Sequence, residues 1–352
     1  IKGLMIMNKH IDSYLEYYNE LTSPQYAVLI KGAWGSGKTH YINQFKKSLD
    51  AKSKKYIYVS LYGVMNYEEI ETKFLETLHP KLYNKKTILA GKIAKGFLKG
   101  ALKIDLDDDG KADGTVSAQL PDINASDLLN TQNHILIFDD LERCSIPIND
   151  ILGYINYFVE HQDYKVIIIA NEKELDKNEK YGDIKEKLVG KTFELTSNSD
   201  LAFDSFIEEL TKEENKDIIV ENKNIILEIY NQSKYDNLRV LRQTIFDFDR
   251  FYEKVLFTYI ENKDFFIDIL KQFLIFSIES KKSNINIWQL NTYYEEYMSI
   301  GMENSFEDSE ELRNTTYRKI TNKYNLDLIE ALIFDVTLWE DIISKSIICK
   351  ED

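Results

Sequence analysis

The chain has 352 residues, 43% of them apolar, enough for about two domains with sizeable cores. Its net charge is −15 and it carries only two cysteines, Cys144 and Cys349, with no zinc spacing. That balance argues against a broad nucleic-acid groove and against a disulfide scaffold, and points to a reducing cytoplasm.

The first predicted element is a buried strand, Tyr26–Ile30, entered after Pro24. It runs into Gly32-Ala33-Trp34-Gly35-Ser36-Gly37-Lys38-Thr39, which satisfies G-x-x-x-x-G-K-[ST]. Behind it Ile42, Phe45 and Leu49 share one helix face. Glycines let the backbone turn so that its N–H groups converge on phosphate oxygens, and the helix N-terminus adds roughly half a positive charge. Gly32, Trp34, Gly35, Ser36, Gly37, Lys38, Thr39 and His40 are the candidate nucleotide contacts. Lys38 is expected to reach the β- and γ-phosphates, and Thr39 to hold Mg²⁺.

A second strand is expected at 56–62. Residues 80–131 then form an insertion. Within it, lysines 92, 95, 99 and 103 line one face of a helical pattern opposite Leu89, Ile93, Phe97 and Ala101. Packing on the protein's own acidic surface competes there with docking on an anionic membrane or a partner. Asp105, Asp107, Asp109 and Asp113 mimic a calcium loop around Gly110, but Val116 stands where the bidentate glutamate belongs. A solvated acidic turn is the plainer expectation.

Ile135-Leu-Ile-Phe-Asp139-Asp140-Leu-Glu142-Arg143 reads as a buried strand delivering carboxylates to its C-terminal edge, where ligands sit in open α/β sheets. Asp139 is expected to hold Mg²⁺, largely through water. Asp140 is placed to act as general base, or as a helix cap, or both. The next strand, 165–170, ends at Asn171, a candidate for orienting water or touching the γ-phosphate; a turn-forming asparagine is the alternative. Guanine recognition would favour Asn-Lys-x-Asp, whereas the chain reads Asn171-Glu172-Lys173-Glu174, so ATP is the expected nucleotide. A fifth strand is expected at 191–195. Helical patterns separate most of these strands, which predicts a doubly wound parallel sheet with another strand between the two motif strands.

From about Asp200 the chain reads as helix: Leu201–Leu210, Ile218–Tyr230 and Leu238–Val255, followed by aromatic-rich runs at Phe265–Phe276 and Asn291–Tyr297. The first 200 residues carry 26 basic against 29 acidic side chains, the remainder 18 against 30. Residues 1–199 are therefore expected to form an α/β nucleotide domain, and 200–352 an all-helical lid and interaction domain. The start at Ile1 and the end at Asp352 leave room for a longer parent protein.

Gly-x-Trp-Gly-Ser-Gly-Lys-Thr together with Asp-Asp-Leu-Glu-Arg resembles the KAP family of P-loop NTPases, relatives of the AAA+ ATPases. Glu142 departs conservatively from that family's Asp-Asp-Leu-Asp-Arg, and Ile184–Gly190 is similar to its Glu-Lys-Ile segment. The resemblance covers roughly 20–250 and implies nucleotide hydrolysis, with roles in phage defence or membrane-associated signalling among its members. It also implies membrane segments near the insertion. There, however, four lysines would each cost about 2.5–3.5 kcal/mol at a bilayer centre.

AAA+-like proteins place a γ-phosphate-sensing arginine on a lid helix, a position that Arg239 fits better than Arg242. An exposed arginine pair held by acidic neighbours is the alternative. They also supply a finger arginine before the fifth strand, yet no arginine lies between Arg143 and Arg239. Such a finger is worth about 10³–10⁵ in rate elsewhere. Lys185, Lys187 or Arg143 would have to substitute, or turnover is slow; Arg143 is equally a salt-bridge partner for Glu142. The expected function is a Mg²⁺-dependent ATPase acting as a switch or homo-oligomer, with Lys38, Asp140, Asn171 and Arg239 carrying the chemistry. The competing expectation is an ATP-binding regulatory scaffold with little turnover.

Overall fold

The computed structural model describes residues 8–78, 134–178, 180–282, 285–288, 316–324 and 333–347. The insertion 80–131, with its lysine-lined stretch and aspartate loop, and the run Asn291–Tyr297 lie outside them. The chain divides into two compact units, Met5–Thr196 and Ser197–Asp352.

In the first unit five parallel strands form one sheet: β1 (Ala27–Lys31), β2 (Lys55–Ser60), β3 (His134–Asp139), β4 (Lys165–Ala170) and β5 (Val189–Glu194). Their order is β2-β3-β4-β1-β5, so β4 lies between the two motif strands as expected. The apolar runs are buried on both faces, which is what covering helices on each side require. Period-two alternation splits them into two cores. Leu29, Leu136, Phe138, Val166 and Ile168 pack with α3 (Tyr67–Leu78) and α4 (Ile148–Glu160). Val28, Ile30, Ile135, Ile137, Ile167 and Ile169 pack with α1 (Lys9–Glu20) and α2 (Lys38–Ala51). Helix α1 buries Ile11, Leu15 and Tyr18, and α2 buries Ile42, Phe45 and Leu49.

Strand β5 starts two residues earlier than the sequence indicates. It pairs Val189 with Ala27 and then Lys191 with Val28, leaving Gly190 as the extra residue. A Cβ on Gly190 would lie 2.5 Å from Cγ of Tyr26, so only glycine lets that ring lie against the strand. Between β4 and β5 runs α5 (Tyr181–Leu188).

The second unit is helical in its described residues: α6 (Ser199–Glu208), α7 (Glu213–Glu221), α8 (Lys223–Gln232), α9 (Leu238–Lys254), α10 (Lys263–Lys281), α11 (Thr316–Tyr324) and α12 (Val336–Glu340). Asn198, Asn237 and Asn262 cap α6, α9 and α10 through their side-chain oxygens. The helix expected over Ile218–Tyr230 is in fact two, broken at Asn222. There the Ile218 carbonyl accepts both the Asn222 N–H at 3.2 Å and the Asn222 side-chain amide at 2.8 Å, and Asn222 leaves helical geometry with φ −97° and ψ 12°. Phe265–Phe276 lies within α10 and supplies core, with Phe273 stacked on Phe251 at 4.9 Å between ring centres. No helix among the described residues is long and apolar enough to cross a membrane.

Candidate functional site

The loop that follows β1 is fixed by its backbone. Gly32 N–H donates to the Ala170 carbonyl at the end of β4 (3.1 Å), and Gly35 and Gly37 take left-handed φ of 78° and 92°. A Cβ on Gly32 would sit 2.6 Å from Ser36 Oγ and 3.3 Å from Lys38 Cγ, so glycine lets the loop fold over the lysine stem. Lys38 is 8% exposed, and its ammonium donates to the Gly32 and Ala33 carbonyls at 2.6 and 3.0 Å. Burial lowers its pKa, against the pull of Glu142, Asp139 and Asp140. The Trp34 indole bond to Glu142 places the acid-bearing turn beside the loop. The Ser36 hydroxyl is buried without a hydrogen-bond partner, in a loop whose N–H groups would otherwise meet an anion. Thr39 and His40 open the first turn of α2 and are exposed; the His40 ring pairs with Gln44 at 2.8 Å.

Asp139 ends β3 and is 1% exposed. One carboxylate oxygen accepts from the Tyr58 hydroxyl and the other from Asp140 N–H, both at 2.8 Å. Burial raises its pKa; the Tyr58 hydrogen bond opposes that and the Asp140 charge adds to it. Asp140 adopts φ 58°, ψ 37°, a left-handed conformation that aspartate tolerates better than most residues, and its carboxylate accepts from Ser60 Oγ at 3.1 Å. Tyr58 and Ser60 both come from β2. The same strand end is zipped to the acid turn by backbone bonds: Leu61 N–H to Asp139 O (2.8 Å), Gly63 N–H to Arg143 O (3.1 Å) and Ser145 N–H to Val64 O (2.9 Å).

Glu142 and Arg143 do not behave as an isolated ion pair. Glu142 accepts from the Trp34 indole N–H at 3.0 Å, and the Arg143 guanidinium lies over the Trp34 and Tyr62 rings, 5.4 and 5.2 Å from their centres. A planar cation between two aromatic faces replaces the salt bridge that adjacency in sequence had offered.

Asn171 follows β4 directly, is 6% exposed, and makes no side-chain capping bond to the turn Glu172–Leu175. Glu172, 7% exposed, is bound by Lys31 (2.9 Å), by Lys185 and by the Tyr181 hydroxyl (3.2 Å). Burial pushes its carboxyl up, but Lys185 and Lys31 outweigh that and hold it below its ordinary value. Lys185 is therefore engaged in the floor of this unit, while Lys187 is exposed on α5.

The first unit thus gathers the loop, Lys38, Asp139, Asp140 and Asn171 at the carboxyl ends of β1, β3 and β4. Arg239 belongs to the other unit. It is exposed in the first turn of α9, its N–H capped by Asn237 at 3.1 Å. Arg242 is the member of that pair that meets an acid: its guanidinium pairs with Glu209 at 2.5 Å and lies over the Phe246 ring. Tyr58, Ser60 and the Trp34–Glu142 bond escaped sequence reasoning. Alternation along β2 put Tyr58 and Ser60 on one face, but nothing local said which strand they would neighbour.

Among solved structures the chain is similar to a crystal structure of a DNA replication initiation factor, at 13% identity and TM-score 0.34 over 99% of this chain and 96% of that one. It is also similar to the ADP form of the Aeropyrum pernix ORC2 protein, at 12% identity and TM-score 0.42 over 97% and 83% of the two chains. No curated protein matches it in sequence. Residues 7–255 match the KAP family P-loop domain, which spans both motif strands and more than half of the sequence. The chain belongs to the KAP family of P-loop NTPases.

Proposed function

We propose that this protein binds Mg-ATP in the Gly32–Thr39 loop and hydrolyses it, as a switch or as an oligomerising ATPase. The observation that carries this reading is the buried Lys38 ammonium, clasped by two loop carbonyls beside the Asp139–Asp140 pair. The left-handed turns at Gly35 and Gly37 and the orphaned Ser36 hydroxyl fit a phosphate chain, and Thr39 with Asp139 fit a hard cation that prefers oxygen ligands. Bound Mg²⁺ would supply charge neutralisation on the phosphate oxygens.

Lys38 and the loop N–H groups would hold the β- and γ-phosphates in line. Asp140 would take the proton of the attacking water as the bond from the γ-phosphorus to the bridging oxygen breaks. Asn171 would orient that water. Positioning and charge stabilisation do most of such work. Tyr58 and Ser60 would set the carboxylates of Asp139 and Asp140, and a γ-phosphate-sensing role for Arg239 rests on the likeness to AAA+ proteins alone. A role in phage defence rests on the family likeness alone.

A scaffold that holds ATP with little turnover is the second reading. Two observations favour it: the Asp140 carboxylate is turned onto Ser60, and Lys185 is committed to Glu172. Calorimetric titration with Mg-ATP tests binding in both readings. Phosphate release per subunit that rises with protein concentration supports shared sites in an oligomer. A flat, negligible rate supports the scaffold.

A further inference from the structure

Two aromatic rings are exposed at the phosphate loop: Trp34 is 46% and Tyr62 63% exposed. Yet they are held in a defined geometry. The Trp34 indole donates to Glu142, Arg143 lies over both rings, and the turn carrying Glu142 and Arg143 is zipped to the end of β2 through Gly63 and Ser145. One loop side chain thereby ties the phosphate loop to the segment that fixes Asp140. The second carboxylate oxygen of Glu142 is buried without a hydrogen-bond partner. A carboxylate oxygen buried without a donor favours rearrangement when further negative charge arrives. Trp34 and Lys38 belong to the same loop, so a triphosphate seated there would be felt through the Trp34 indole at Glu142.

We infer that Trp34 and Glu142 form a latch: Trp34 is a positioning residue that sets the acid turn against the phosphate loop, and the latch reports whether the γ-phosphate is present. This rests on the nucleotide reading above. Loop N–H groups, not the indole, grip the phosphates, so the latch should govern turnover more than affinity.

The experiment compares Trp34→Phe, Glu142→Ala, Glu142→Gln and the double variant Trp34→Phe/Glu142→Ala in the full chain. Phenylalanine keeps a ring for Arg143 and removes the N–H donor; glutamine keeps an acceptor oxygen. Trp34→Phe and Glu142→Ala should each lower kcat about 10-fold, equivalent to about 1.4 kcal/mol. Their Kd for Mg-ATP by calorimetry should stay within about twofold. The double variant should be no worse than either single one, because the two residues act through one bond. Glu142→Gln should keep at least half of the wild-type rate. Unchanged kcat in Trp34→Phe, additive losses in the double variant, or parallel loss of kcat and binding would overturn the latch.

Tryptophan emission separates failure of the latch from failure of the hydrolysis reading. Trp34 emission, obtained as the difference from Trp34→Phe, should differ between Mg-ATP and Mg-ADP. If the wild type releases no phosphate but this difference persists, hydrolysis and the effect of the latch on turnover are refuted, and its response to the γ-phosphate stands. If phosphate is released with no emission difference, the latch falls alone.

Discussion

Replacing Lys38 by methionine removes the ammonium and keeps most of the stem. The group removed is 8% exposed and donates to two carbonyls, at 2.6 and 3.0 Å. Losing these bonds and relieving a desolvated charge oppose each other, so the melting temperature without ligand should move little. With Mg-ATP the two proteins should part. Ligand at a hundredfold its Kd stabilises a protein by about 2.7 kcal/mol. For a unit the size of Met5–Thr196, each kcal/mol raises the melting temperature by about 2–4 °C, so the wild type should gain about 5–11 °C. Truncating one partner of a buried charge pair costs about 2–5 kcal/mol of affinity. At the same nucleotide concentration the variant should then gain less than about 0.9 kcal/mol, or about 2–4 °C. Thermal unfolding with and without Mg-ATP reads the difference. A variant that keeps the full wild-type shift would show that Lys38 does not grip the triphosphate, and the site assignment would go with it.

Asp140→Asn should bind Mg-ATP with near wild-type affinity while phosphate release falls about 10²–10⁴-fold, the usual worth of a general base; undiminished release would refute the assignment. Asp139→Asn tests a sign. Burial raises the folded pKa of Asp139 above 3.8, so its stabilising contribution is complete below the unfolded value and is lost as pH rises through the folded one. Without ligand, the asparagine variant should thus melt higher than wild type at pH 7, with the gap closing towards pH 4; a constant gap would contradict the burial argument. Gly190→Ala should cost about 1–3 kcal/mol through overpacking on Tyr26. Gly153→Ala, exposed on α4 with nothing within 4 Å of its new Cβ, should gain up to about 1 kcal/mol. Urea denaturation ranks the two, and the reverse order would sink the contact reasoning.

What the sequence discloses about this fold depends on how local each constraint is. The phosphate loop is legible because its glycines, lysine and threonine fall within eight residues, the glycines answering the backbone turns there. Strands β1, β3 and β4 are legible because central parallel strands are apolar on both faces. The edges read less well. Strand β5 is half exposed and shifts at Gly190, so its first two residues carry no strand pattern. Helix α1 hides in a polar segment whose buried stripe is short. The break at Asn222 is one residue leaving helical φ and ψ while its bonds to Ile218 persist, which a periodicity count ignores. Ser60 on Asp140, Tyr58 on Asp139 and Trp34 on Glu142 join residues 80 to 108 apart, and only the sheet order brings them together.

The left-handed turn at Asp140 governs how this site can be engineered. A continuing strand would send neighbouring side chains to opposite sides of the sheet; reversing φ at Asp140 brings its carboxylate round to Ser60, the side that Tyr58 and Asp139 already occupy. Asparagine shares aspartate's tolerance for that conformation, so it changes the charge and spares the geometry. A β-branched replacement would unwind the bend as well as remove the acid, and loss of activity in such a protein would say nothing about proton transfer.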